Sequence, residues 1–285
     1  MTSTGGHMRS TRTAVIGGWA QVMWATFLRD LWTATSYRVG FALSIGGSLI
    51  SVFGVFFLSE AFGGGAARTL DAYGGSYFGF AVIGVALSNL MALGLTGMSA
   101  RIREGQMMGT LELMLLSPNR LWVLFLSSSL WAHTQAFVTL ILYLVAGALL
   151  GMDLGQANVG MTLLSLGLAV LAFNALGLFS AAVVIVIKQG NPVALLISFA
   201  SILLAGVFYP ISVLPAWLQA LGQLLPLTHA LELVRRSALG GEGIATLWGP
   251  FVVLAVLATV LMPLGLWTCQ RAVRLAQTDG SLSQY

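Results

Sequence analysis

Six stretches of this sequence run for at least 21 residues without an Asp, Glu, Lys or Arg: Val39–Ser59, Ala72–Ala100, Leu121–Met152, Leu154–Ile187, Gln189–Leu231 and Gly243–Gln270. A helix needs ~20 apolar residues to cross the ~30 Å hydrocarbon core of a bilayer, so each run is long enough to span it with some tilt. The alternative, six helices buried in a soluble core, fails on coverage, because only 8% of the 285 residues are charged against ~25% in soluble domains. With 58% hydrophobic residues and a mean hydropathy of +0.91, the chain reads as an all-α integral membrane protein with six transmembrane helices. The same balance excludes disorder, and the 34 glycines follow no three-residue period, which excludes collagen. The single cysteine, Cys269, permits neither an intramolecular disulfide nor a thiolate metal site. A net charge of +4 carried by scattered basic residues offers no face for nucleic acid.

Orientation follows from Lys and Arg, which stay preferentially on the cytoplasmic side. An N-terminus inside puts Arg9, Arg12, Arg29, Arg38, Arg101, Arg103, Arg120, Lys188, Arg271 and Arg274 in the cytoplasm and leaves Arg68, Arg235 and Arg236 outside. Both termini are then cytoplasmic in a multi-pass protein of the cytoplasmic (inner) membrane. Residues 1–17 form a flexible N-terminus, 37–270 the six-span domain and 271–285 a tail. Between the first two lies 18–36, with Trp24, Phe27, Leu28 and Leu31 at helical spacing and Gln21, Ala25, Arg29 and Thr33 on another face. That pattern predicts an amphipathic helix lying in the interface, in contact with membrane lipid. The start of the chain lacks the pattern of a secretory signal, so this segment is expected to be retained, and Met1–His7 carries no assigned function.

The fifth run is interrupted by Pro192, Pro210, Pro215 and Pro226, so one straight helix cannot hold it. The spacing predicts a span from Pro192 to Tyr209, then two short helices, Pro215–Leu224 and Thr228–Leu239, lying outside or re-entering the membrane. Pro215 suits a first turn, Thr228 a cap, and Gly240-Gly241 a stop. The alternative is a seventh span over Pro210–Leu231, which would place three prolines inside or at the ends of one helix.

Polar groups within the spans are few: Asn89, His133, Gln135, Asn174 and scattered hydroxyls. Ion-coupled carriers usually place an ionisable group at membrane depth. Here only His133 is available, and in its isolation a bond to a neighbouring helix accounts for it better than a proton relay does. The only lysine, Lys188, lacks the glycines and hydroxyl of a phosphate-binding loop, and no H-E-x-x-H or G-x-S-x-G is present. Glu60 and Asp71 share a short loop but read as solvated charges. No residue of this chain is therefore assigned to catalysis, metal binding or a cofactor.

The most distinctive segment lies between the second and third runs, from Arg101 to Arg120. Thr110 can cap a short helix with Glu112 in its first turn, Leu111, Met114 and Leu115 make an apolar face, and Ser117-Pro118 stops it. Such a helix suits a groove on a partner, although a connector between spans would also satisfy the residues.

Arg103-Glu104, followed by Gly109-Thr110-Leu111-Glu112, Leu113, Leu115 and Ser117-Pro118, resembles the R-E-x(4)-G-T-L-E-x-L-L-x-S-P signature of membrane permeases of six-span, type-two ABC exporters. A second match, Gly206-Val207-Phe208-Tyr209-Pro210-Ile211-Ser212-Val213-Leu214-Pro215 with Trp217, Pro226-Leu227-Thr228 and Arg235, is similar to that family's fifth-span exit and outer helices. The resemblance implies that 109–117 is a cytoplasmic coupling helix seated in a separate ATP-binding subunit, with Arg103, Glu104, Gly109, Thr110, Leu111, Glu112, Met114, Leu115, Ser117 and Pro118 at the contact. It implies that 18–36 is a connecting helix, and that two ATPase copies join two permease copies, most simply a homodimer. ATP and Mg would sit on the partner and none on this chain. The path would run between the permeases, lined by the first, second and fifth spans, with Asn89, Phe208, Tyr209, Pro210 and Pro215 along it or at its outer gate beneath the outer helices 215–239. Charge-free spans favour an amphiphilic cargo (a drug, lipid or glycan-lipid) over an ion. A membrane anchor docking a cytoplasmic partner, or a carrier using His133, are the competing functions.

Overall fold

In hydrocarbon no water is present to satisfy backbone groups, so apolar runs close their hydrogen bonds within themselves. The computed structural model describes residues 13–36, 38–66, 76–107, 121–187 and 191–278, and every regular element among them is helical. In order these are α1 (Thr13–Ser36), α2 (Arg38–Ala66), α3 (Tyr77–Met107), α4 (Leu121–Leu149), α5 (Val159–Ile187), α6 (Pro192–Leu204), a single 3-10 turn (Ile211–Val213), α7 (Ala216–Gln223), α8 (Pro226–Ala238) and α9 (Ile244–Thr278).

Five of these are long and apolar enough to cross a membrane, over Ala42–Ala61, Tyr77–Gly105, Leu130–Leu149, Val159–Ile187 and Ile244–Leu275. The expected fifth crossing is shorter than its sequence suggested. Helix α6 has 13 residues, or about 20 Å at ~1.5 Å per residue, and stops at Leu204 rather than Tyr209. The stop comes at Gly206, whose φ of +79° reverses the chain where a side chain would be strained. A seventh span over 210–231 does not form. Pro210 and Pro215 are both extended (ψ 140° and 148°) and Pro226 begins a new helix, which leaves only the 3-10 turn and α7 between them. Helix α8 opens at Pro226 with no side-chain cap. Thr228, expected as that cap, instead donates its hydroxyl to Gly222 O at 2.6 Å and ties α8 to α7. Helix α9 runs through Pro250 and Pro263 and continues to Thr278, so Arg271 and Arg274 stand on its last turns.

Helices α3 and α5 form the centre. They approach so closely that a Cβ on Gly177 would lie 2.3 Å from Gly94 O, and one on Gly94 would lie 3.2 Å from Phe173 Cβ. Small residues permit this contact, and dispersion between backbones replaces the hydrophobic drive that lipid cannot supply. On one flank α4 packs against α3, where Asn89 Nδ2 donates to Tyr143 Oη at 2.9 Å. On the other, α9 lies along α5, and Gly265 would clash with Ala175 O at 2.9 Å if it carried a Cβ. Helix α2 lies outside this core, presenting Val39, Leu43, Ile50, Phe53 and Phe57 outward while Val52 and Val55 face in.

Candidate functional site

Among the described residues, a buried charged side chain meets each end of α3: Asp30 at one and Arg235 at the other. At one end, Asp30 of α1 is only 2% exposed, and a buried carboxylate is stable only when paired. Arg29 Nε and Nη2 reach its Oδ1 at 3.1 and 3.0 Å. Arg101, near the end of α3, brings Nη2 to 2.6 Å from Oδ2. That second contact is Coulombic, since Oδ2 accepts no well-aligned hydrogen bond. Arg101 Nη1 turns to Glu104 Oε2 at 3.4 Å. Against α4, α1 uses aromatic faces: Trp24 stacks on Phe27 (5.8 Å), and Phe27 meets Trp131 (6.1 Å). The expected polar face is exposed at Gln21, Ala25, Arg29 and Thr33, and Phe27, Leu28 and Leu31 are half-buried, but Trp24, expected with them, is exposed. Asp30 was missed from the sequence, where its signal is a lone Arg-Asp pair in an otherwise uncharged helix.

Arg103 and Glu104 are exposed beside this pair, where α3 leads towards residue 108. The other expected coupling residues, Gly109, Thr110, Leu111, Glu112, Met114, Leu115, Ser117 and Pro118, lie outside the described residues.

One turn back along α3, Ser99 enters a buried polar knot. Asn191 Nδ2 donates to Ser99 Oγ at 2.8 Å, Ser180 Oγ donates to Asn191 Oδ1 at 2.8 Å, and the two hydroxyls are 3.1 Å apart. The same Oδ1 accepts Ala194 N at 3.1 Å, so Asn191 caps α6 while binding α3 and α5. The sequence signal was Asn before Pro, a helix-start pattern.

At the opposite end, Arg235 of α8 is 3% exposed. Its Nε donates to Phe80 O at 3.0 Å, Nη1 to Gly206 O at 2.8 Å and Nη2 to Val207 O at 2.7 Å. The guanidinium carbon lies 3.4 Å from the centroid of the Phe80 ring, a cation–π contact. Expected as an outside charge on the second outer helix, Arg235 does lie on that helix but is buried among backbone carbonyls. Its neighbour Arg236 behaves as a surface charge. It donates to Glu242 Oε1 and Oε2 at 2.7 and 2.6 Å and to Glu232 Oε1 at 3.1 Å. Hydrogen bonding to Arg236 holds the Glu242 carboxyl below its usual range, and the same bond raises Arg236.

The expected path and gate residues divide. Phe208 is half-buried against the core cluster, and Tyr209 donates its hydroxyl to Leu203 O. Pro210 and Pro215 bracket the 3-10 turn. Asn89 sits elsewhere, half-buried between α3 and α4 and held by Tyr143. His133 and Asn174 are both half-buried in their helices.

This is a helical membrane scaffold with polar fastenings at both ends of its central helix. No curated protein matches the chain. The sequence model of the ABC-2 type transporter, however, matches residues 18–239, a region that takes in α2 to α8 and most of α1. The chain therefore belongs to the ABC-2 type transporter family, as a multi-pass, non-catalytic permease component of an ABC transporter.

Proposed function

We propose that this permease forms the translocation path of an ATP-driven exporter of amphiphilic cargo, coupled through residues 109–117 to a separate ATP-binding subunit. The observation that carries the coupling is the buried Asp30–Arg101 pair. It joins α1 to the last turns of α3, a few residues before the segment with the coupling signature. A push on that segment is then felt by α3 and α1 together. In this reading α1 rests on the cytoplasmic face of the inner membrane as the connecting helix, and both termini are cytoplasmic.

Helix α6 and the turn after it count as a shortened fifth crossing, giving six, with α7 and α8 as re-entrant helices on the outer side. Two permeases, most simply two copies of this chain, enclose the path with α2, α3 and α6, and Phe208, Tyr209, Pro210 and Pro215 form its outer lip. Asn89 serves as a tie between α3 and α4. ATP and Mg are bound by two copies of the partner. The apolar, exposed faces of α2 and α6 support an amphiphilic cargo, because they offer nothing to replace the hydration of an ion.

The test is to co-express the chain with an ATPase encoded beside its gene, purify the membrane complex, and compare its ATP hydrolysis with that of an L111D/E112R variant. A stable complex whose hydrolysis falls in the variant supports the coupling. Failure of the ATPase to co-purify overturns it.

A further inference from the structure

Helix α6 stops after 13 residues, and a helix that ends at membrane depth leaves carbonyls without donors. The backbone supplies one more bond, Ala205 N to Ser201 O at 2.9 Å. A second end carbonyl, Leu203 O, takes the Tyr209 hydroxyl. Beyond the helix the chain reverses at Gly206, and the carbonyls of Gly206 and Val207 lie outside the ladder of α6. Both are taken by Arg235, at 2.8 and 2.7 Å.

Nε of the same guanidinium is fixed to Phe80 O on α3. Gly84, one turn along α3, leaves the room: a Cβ there would lie 2.3 Å from Val207 O and 2.6 Å from Arg235 Nη2. The platform is rigid, because nearly every residue of α8 is buried. Helix α6, by contrast, buries only Ala194 and Ser201 and presents Leu195, Leu196, Phe199 and Leu203 outward.

We propose that Arg235 is the positioning residue of the outer lip: its planar fork holds the two carbonyls of the reversed chain that follows α6 and pins the Ala205–Tyr209 turn, with Phe208 and Tyr209, to α3. Lysine cannot substitute, since it offers one compact charge where three separated acceptors must be met in one plane. The role at the lip rests on the gate reading above, whereas the pinning does not.

The test uses the full chain, with C269A, reconstituted in phosphatidylcholine–phosphatidylglycerol liposomes and carrying a nitroxide at F208C or, as a control on exposed α5 surface, at L171C. Accessibility of the label to a water-soluble nickel chelate is measured in the parent, R235K, R235Q and G84A. G84A keeps the arginine in the sequence but crowds its seat, pressing on Val207 O and Arg235 Nη2, and so keeps the test open if the arginine variants fold poorly. The expected result is a rise of about tenfold at F208C in the variants, the factor matching the loss of one charge-assisted hydrogen bond, with L171C unchanged. No change at F208C, or an equal change at L171C, overturns the positioning role. A change at F208C with an unaltered transport rate in the assembled complex supports the pinning and overturns the gate reading.

Discussion

The two ends of α3 are fastened by opposite means. At the Arg101 end the fastening is a carboxylate facing two guanidinium groups, one of them acting through charge alone. Coulomb attraction falls off gradually with distance and has no preferred angle, so α1 can shift by a fraction of an ångström without losing it. At the Phe80 end the fastening is three aligned hydrogen bonds, an aromatic face and a glycine seat. Hydrogen bonds weaken steeply with angle, so that end has a single geometry. The comparison teaches that one helix can be compliant where a partner would push on it and stiff where a turn must be held.

Breaking the stiff end has the largest expected effect. R235Q strands carbonyls of Phe80, Gly206 and Val207 in an apolar setting and lowers stability by about 2–4 kcal/mol, measured by thermal unfolding of the purified permease in detergent. At the compliant end, D30N removes the charge that Arg101 faces. Because Arg101 remains 29% exposed and water can repay part of the loss, the expected cost is about 1–2 kcal/mol. On the proposed coupling, D30N is expected to lower ATP hydrolysis of a complex co-purified with an ATP-binding subunit, by more than R235Q does relative to its stability loss. N191A strikes between the two ends, removing the cap of α6 and both serine contacts. It costs about 1 kcal/mol and makes the α6 amides the first to exchange with deuterium.

The smallest effect concerns Glu242. Its native pKa is depressed by Arg236, so its contribution is whole at neutral pH, where both folded and unfolded forms are ionised. It is lost as the pH falls below the ordinary glutamate range and through the depressed native value. E242Q should flatten the acid limb of the stability profile by a few tenths of a kcal/mol, as expected of a partly exposed pair.

Charge-free runs made the long helices legible, because length and composition suffice for α2, α3, α4, α5 and α9. They could not show that α6 stops at Leu204, since Gly206 looks like any other glycine until its φ is known. Nor could they separate Arg235 from Arg236. The two are adjacent and chemically identical, but a helix turns ~100° per residue, and that rotation sends one into the core and the other to a carboxylate pair. Asp30 hid for a related reason: on a short amphipathic helix an acidic residue reads as solvent-facing unless its partner on α3 is known. The signature around Gly109–Ser117 carried the resemblance to the family, whereas the ion pair between Asp30 of α1 and Arg101 of α3 is visible only in the folded chain.

Pro250 and Pro263 give α9 a mechanical character that its length conceals. Each proline lacks an amide proton, so the carbonyls four residues earlier, those of Thr246 and Thr259, receive no bond from the positions that would normally supply one. The two soft points are separated by 13 positions, which at ~100° per residue places them about 140° apart around the axis. Bending at one is therefore out of plane with bending at the other. Along α5 the helix carries two weakened points that face different directions, and a bend at either would tilt its ends in different planes.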